Sequence, residues 1–259
     1  MIDGYPGENV DKAIRAFEIM NGLQSDGSMD AEVWAALNTG GDAMMVYTIT
    51  DDDLSGLVDA IPDDYSEMAE MERLAYTSVA EKLAERFHMD IEFLGALNTD
   101  ADFSRAGTEL MVADVGNDAG AKVARIEVDK QQAQLRAFDK SGAMVAAYPV
   151  TVGSDQLPSP SGTLEVVAIA AEATYSYLPD ENFQQGDNDE PLTIPSGPNN
   201  PVGGIWIDLS KPTYGLHGTP EPDEIDKTQS HGCVRMTNWD ARELAALVSQ
   251  GTVVEFTGG

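Results

Sequence analysis

Apolar residues recur at helical spacing in the first part of the chain and at spacing two through its second half. Val10, Ile14 and Phe17 fall at i, i+4 and i+7, which predicts a helix with one apolar face, stopped by Asn21-Gly22. Ser25-Asp26-Gly27-Ser28 is a turn, and Asp30 is placed to cap a second short helix carrying Val33, Trp34 and Leu37. Phe17 and Trp34 are expected in the core of this small unit. A strand is expected over Met45–Thr50, followed by a polar, acidic connector containing Pro62. Ser78-Val79-Ala80-Glu81 has the capping-box pattern and opens a helix with Val79, Leu83 and Phe87 on one side. His88 ends it, in a charge-favourable C-terminal position or in core packing. Asp90 caps a further short helix with Ile91, Leu94 and Leu97, and a strand over Thr108–Val112 closes the unit.

From about residue 121 the period changes to two. Val123, Ile126 and Val128 lead into a turn, and Gln134–Phe138, Met144–Val152, Thr163–Ala171, Ile205–Leu209 and Tyr214–His217 follow as β-rich runs separated by Gly, Pro, Ser and Asn clusters. One helix interrupts them. Thr237 caps it, Leu244, Leu247 and Val248 face inward, Gly251 ends it, and Thr252–Phe256 is the final strand. The fold class is therefore multidomain. A mainly β domain over 120–259, a β-sandwich or open barrel with one helix, is preceded by a small α module over 1–40 and an α+β module over 41–119.

Composition sharpens this by exclusion. Fifteen Lys and Arg stand against 45 Asp and Glu, a net charge of −30. With no cationic surplus to displace counterions, the chain is not expected to bind nucleic acid. The acidity is read mainly as solvation. Asp51-Asp52-Asp53 lacks the glycine and distal glutamate of a calcium loop and is read as a helix or turn cap. No run approaches the roughly 20 apolar residues of a membrane span. The start has neither a basic nor an apolar leader region, so no signal peptide is expected in the sequence as given. A single cysteine excludes an internal disulfide and any multi-cysteine zinc module.

That cysteine lies close to two of the three histidines: His217-Gly218-Thr219 precedes Ser230-His231-Gly232-Cys233-Val234-Arg235-Met236. A free thiol is only a few per cent thiolate at pH 7, and an adjacent imidazole can take its proton. Glycines allow backbone N–H groups to approach a developing oxyanion. His217 ends an expected strand and Cys233 precedes a helix, so the two can meet at one sheet edge. His231 is tied to the same loop as Cys233 and is less free to act as base. Two other readings fit the residue types: a metal held by His217, His231 and Cys233 near Met236, and a buried structural cysteine beside incidental histidines.

The two segments resemble the signature of the bacterial L,D-transpeptidases, the YkuD catalytic domain. Pro158-Ser159-Pro160-Ser161-Gly162-Thr163 is similar to a turn of that family, and Ile194-Pro195-Ser196-Gly197-Pro198-Asn199-Asn200-Pro201-Val202-Gly203 to the segment ahead of the histidine strand. The resemblance covers about 121–257, with Arg235 where many members carry Asn. Ala13 through Leu37 resembles a peptidoglycan-binding helical module, and the strand–helix–helix–strand order over 41–119 is similar to a LysM-type glycan-binding module.

What the resemblance implies is specific. Cys233 is the nucleophile on the third residue of a peptidoglycan stem tetrapeptide, the terminal D-Ala leaves, and an acceptor amine resolves the thioester. His217 is the base, oriented by the Gly218 carbonyl. His231, Gly232 and Cys233 form an oxyanion loop that Ser230 fixes. Arg235 holds a substrate carboxylate or braces the loop, with Tyr214 and Thr219 also on the substrate side. A long insertion over 175–200, with Tyr175, Tyr177 and Phe183, is a binding loop whose aromatics grip the stem. Carbapenems are the expected covalent inhibitors, no cofactor or metal is implied, and the partners are stem peptides and glycan in the periplasm or cell envelope. A carboxypeptidase using water in place of the amine, and a non-catalytic wall-binding protein, are the alternatives.

Overall fold

The computed structural model describes residues 1–117, 119–180 and 183–258. The first unit is a helix pair, α1 (Glu8–Met20) and α2 (Ala31–Leu37). Asp30 accepts from the N–H groups of Glu32 and Val33, as the cap signal requires. Ile14 and Val33 are buried, but Val10 is 42% and Trp34 61% exposed. Trp34 is thus not core: two short helices cannot enclose a large indole as well as Val33.

The second unit runs β1 (Met44–Thr48), α3 (Tyr65–Ala69), α4 (Val79–Arg86), α5 (Ile91–Leu97) and β2 (Glu109–Ala113). β1 and β2 pair antiparallel, with Val46 opposite Met111. Leu83, Phe87, Leu94, Leu110 and Val112 form its core. Ser78 accepts from Glu81 N–H, while the Glu81 carboxylate accepts from Thr77. Asp53 shapes the turn after β1: its buried carboxylate accepts from the Tyr47 hydroxyl and from Thr50 N–H, with Arg86 3.2 Å away. The helix α3 falls inside the expected connector and leaves this unit altogether. It packs towards the third unit, where Met68, and Met71 just beyond the helix, lie against Leu74, Tyr177 and Ile194.

The third unit contains β3 (Arg125–Asp129), β4 (Gln134–Phe138), β5 (Met144–Pro149), β6 (Gly162–Ala171), β7 (Tyr175–Tyr177), β8 (Leu192–Ile194), β9 (Ile205–Leu209), β10 (Gly215–His217), β11 (Val234–Arg235), α6 (Asn238–Leu247) and β12 (Val253–Thr257). Eight of these strands form one sheet in the order β11-β10-β9-β6-β12-β3-β4-β5. The ten-residue β6 makes it curl. Its first half pairs with β12 and its second half with β9, with a register shift between Val166 and Ala168. The two ends of the sheet then meet, because Thr151 and Arg235 exchange both backbone hydrogen bonds at 2.9 Å. The expected sandwich or open barrel is therefore a single curled sheet, stitched at a seam. Inside lie Ile126, Val128, Leu135, Ile207, Leu216 and Val234, none more than 0% exposed. Each contributes about 1.5–3 kcal/mol of hydrophobic stabilisation.

The units are bolted together by polar contacts. Lys12 of α1 pairs with Asp226 at 2.6 Å, with both side chains mostly buried. His88, at the end of α4, stacks on Trp239 of α6 with ring centroids 5.1 Å apart. His88 is thus a packing residue across the interface. No helix among the described residues is long and apolar enough to cross a membrane.

Candidate active site

Strand register brings the chemistry-bearing side chains to one face. β10 and β11 run parallel with Leu216 opposite Val234 and His217 opposite Arg235. Side chains alternate along a strand, so Leu216 and Val234 point into the core while His217, Arg235 and Cys233 emerge together on the other face. There they line a cavity of about 300 Å³, with Ser230, His231, Tyr214, Thr213 and Trp206 in its walls.

His217 is 6% exposed. Its Nδ1 lies 2.7 Å from the Gly218 carbonyl oxygen. An N–H at Nδ1 donates to that oxygen, so Nε2 is left as the unprotonated acceptor. Burial, reinforced by the Arg235 charge, drops the His217 pKa to about 4, although the bond to Gly218 acts in the opposite direction. Trp206 covers the imidazole at 5.5 Å in a stacked arrangement.

The loop after His217 is clamped from α6. Asn238 is 2% exposed; its Oδ1 accepts from Thr219 N–H at 3.0 Å, and its Nδ2 donates to Pro198 O and to Glu85 of α4. A β-carbon at Gly218 would overlap Asn238 Oδ1, so only glycine allows this approach. The second unit, through Glu85, thereby supports the carbonyl that orients the imidazole.

The Cys233 thiol donates to the Thr213 carbonyl at 3.5 Å and receives the Gly215 N–H. Thr213 presents that carbonyl from a left-handed conformation, φ +70°, which strains a β-branched residue. Burial raises the thiol pKa, outweighing the Gly215 N–H and the Arg235 charge, which lower it. The resting pair is consequently neutral thiol and neutral imidazole. Because burial raises the thiol, we expect alkylation of Cys233 by iodoacetamide to climb only at alkaline pH, whereas acylation that needs unprotonated His217 should fall only as pH drops through about 4. A reactive plateau between pH 5 and 8 would show an ion pair instead.

Ser230 holds the turn that carries Cys233. Its hydroxyl donates to the Cys233 carbonyl at 2.5 Å and accepts Gly232 N–H at 3.1 Å. Gly232 sits at φ +114°, and a β-carbon there would press on Tyr214. The Gly232 N–H is thus committed to Ser230, whereas the His231 and Cys233 amides bond to no other group among the described residues. His231 is exposed and stacks flat on Phe183 at 4.2 Å.

Other expected residues divide. Arg235 lines the cavity; it has no salt-bridge partner among the described residues, and its Nε is buried without a hydrogen bond. Thr219 is 1% exposed, with its N–H on Asn238 and its hydroxyl oxygen accepting from Glu221, so it builds the loop and does not line the cavity. Tyr175 and Phe183 line the cavity, but Tyr177 is fully buried beneath the insertion and corrects the expected grip. Residues 181 and 182 of that insertion lie outside the described residues. For the alternative metal reading, no three His, Cys, Asp or Glu side chains among the described residues are grouped to hold an ion. Sequence reasoning passed over Trp206, Asn238 and Tyr65. Trp206 carried a usable signal, since it alternates with buried Ile205 and Ile207 and so had to stand on the outer face.

The site lies within a segment that matches a known family. The sequence profile of the L,D-transpeptidase catalytic domain, YkuD, matches residues 123–256, and that of a peptidoglycan-binding domain matches residues 1–37. A Bacillus licheniformis protein named as an L,D-transpeptidase, YkuD, is 34% identical over 133 residues, 51% of this chain and 65% of its own. Its Bacillus subtilis counterpart is 33% identical over 111 residues, 43% of this chain and 52% of its own. The chain thus spans less than two thirds of either relative. The solved catalytic domain of the Enterococcus faecium L,D-transpeptidase is 23% identical, covering 53% of this chain and 99% of that one, at a TM-score of 0.40.

Proposed function

This chain belongs to the L,D-transpeptidase catalytic-domain family and carries an amino-terminal peptidoglycan-binding domain, and from that premise we propose that it is a cysteine acyltransferase acting on peptidoglycan stem peptides in the cell envelope. The observation that carries the reading is that Cys233 and His217 line one cavity, with His217 Nδ1 2.7 Å from the Gly218 carbonyl oxygen, which leaves Nε2 to accept a proton.

The donor is a stem tetrapeptide ending in D-Ala. As Cys233 Sγ attacks the carbonyl carbon of the third residue, its proton passes to His217 Nε2 and a C–S bond forms. The Cys233 amide stabilises the negative oxygen. The C–N bond to D-Ala then breaks, and His217 returns the proton to the leaving amine. An acceptor amine attacks the thioester, the C–S bond breaks, and the proton released by the amine restores the thiol by way of His217. A base whose conjugate acid has a pKa near 4 suits transfer within the transition state: it takes the proton only as the C–S bond forms and gives it up readily. Arg235, unpaired by any carboxylate among the described residues, supplies the charge for a donor carboxylate. The 41–119 unit contributes glycan contact as a LysM-like module.

Intact-mass spectrometry tests this on the unmodified protein. Incubation with a disaccharide-tetrapeptide should give an adduct of the donor less D-Ala and release an equal amount of free D-Ala. Adding a second stem bearing a free amine should yield the 3→3 cross-linked product. Tripeptide alone, with amine present, would make the protein a carboxypeptidase. Neither adduct nor D-Ala would remove the acyltransferase reading.

A further inference from the structure

The cavity holding Cys233 and His217 has one wall that comes from outside the catalytic domain. Tyr65 lies in α3, well upstream of the family-matched residues 123–256, yet it lines the same cavity as His217, Cys233 and Arg235. Resting on the acyltransferase reading above, we propose that the donor site is composite, with Tyr65 a specificity-determining residue that contacts the stem peptide and holds Phe183 and Tyr175 in place around it.

The support for α3 in this position is extensive. Tyr65 N–H donates to Gln185 Oε1 at 3.2 Å, and Gln185 Nε2 donates back to Asp63 O at 2.8 Å. Asn188 Nδ2 reaches both carboxylate oxygens of Asp64 at 3.3 Å. Further on, Leu74 N–H donates to Ser196 O and Asn199 N–H donates to Leu74 O, both at 3.0 Å. Segment 63–74 is thus laced to the 185–199 stretch from both ends. These part-buried and exposed bonds, each contributing modestly, together favour the docked position.

The Tyr65 ring is the hub of the aromatic wall. It meets Tyr177 edge-on at 5.3 Å, Tyr175 at 5.9 Å and Phe183 at 6.1 Å. Phe183 in turn stacks on His231, two residues from the nucleophile. Edge-to-face pairs contribute only modestly to stability but fix ring orientation. The Tyr65 hydroxyl bonds to no protein group among the described residues, although the residue is largely enclosed and feels the Arg235 charge; burial lifts its pKa to about 12. An un-ionised hydroxyl beside an unpaired guanidinium and flat aromatic faces suits an aliphatic peptide chain bearing a carboxylate.

Two variants separate the contributions. Tyr65→Ala should raise KM for the tetrapeptide donor at least tenfold with a smaller change in kcat, while iodoacetamide still alkylates Cys233 within twofold of the parent rate. Tyr65→Phe keeps the ring, removes the hydroxyl and should raise KM about threefold with an unchanged melting temperature. If the alanine variant melts well below the parent, the phenylalanine variant decides by itself. Donor KM within twofold of the parent in the folded variants would overturn the composite site. Failure of the parent to form any donor adduct would instead remove the acyltransferase reading, a separate outcome in the same assay.

Discussion

Cys233→Ala should abolish covalent capture of donor and of a carbapenem, lowering turnover by at least about 10⁴-fold, because no other group in the cavity offers an unpaired electron pair of comparable nucleophilicity. The fold should survive, since the side chain is half-buried and, among the described residues, hydrogen-bonded only to the Thr213 carbonyl and the Gly215 amide. Cys233→Ser is the more informative companion. A serine hydroxyl is far less acidic than a thiol, and a base whose pKa has been driven to about 4 is too weak to activate it. The serine variant should therefore be as inactive as the alanine variant. Intact mass after incubation with carbapenem reads both: an adduct on the alanine variant would place the nucleophile elsewhere, and turnover by the serine variant would mean that His217 is more basic than its burial implies.

His217→Gln should slow acylation by about 10²–10⁴-fold, the usual contribution of a positioned base. Glutamine is the better test than alanine because Trp206 rests on the imidazole face, and a truncated side chain would leave a void beneath the indole. His231→Ala should stay within about tenfold of the parent. Its ring is exposed, stacked on Phe183, and separated from the proton-transfer path that the His217 tautomer defines. Stopped-flow acylation rates for the two variants decide the assignment: equal losses would show that the base is not His217 alone.

The electrostatics set these expectations apart from those for an imidazolium–thiolate pair. Burial penalises charge on both groups, raising Cys233 and lowering His217, so in the proposed reaction the proton stays on sulfur until the carbonyl arrives. Stability carries the same signature. Unfolded His217 binds a proton near pH 6.5, whereas the buried ring resists until about 4, so acidification across that window costs on the order of 3 kcal/mol.

Most of the elements were legible because their signals are local. The capping residues Asp30, Ser78, Asp90 and Thr237 each accept from the first turn of the helix they precede. The alternation in Ile205–Leu209 returns as strand burial. Three features were misread. Trp34 looked like core because hydrophobicity along a short helix does not reveal whether a partner exists to cover it. Thr219 and Tyr177 lay in segments with a functional resemblance, but their side chains turn to bracing the loop and filling the core. The short α3 was invisible, since five residues carry too little periodicity to stand out from an acidic connector.

What the sequence by itself determined is the chemistry: a lone thiol, a histidine, and a Ser-His-Gly turn, close enough along the chain that strand period and loop length alone can deliver them to one place. What only the tertiary structure decided is the environment of that chemistry. The curled sheet sealed between Thr151 and Arg235, the Asn238 clamp reaching to Glu85, and the Tyr65 wall join residues dozens to more than a hundred positions apart, while the Trp206 cover depends on the pairing of β9 with β10. Such contacts leave no local pattern, because each side chain is chosen for the surface it meets rather than for its neighbours in the chain. They nevertheless set the burial that holds His217 near 4 and the thiol protonated, and so decide how the residues that the sequence displays are able to act.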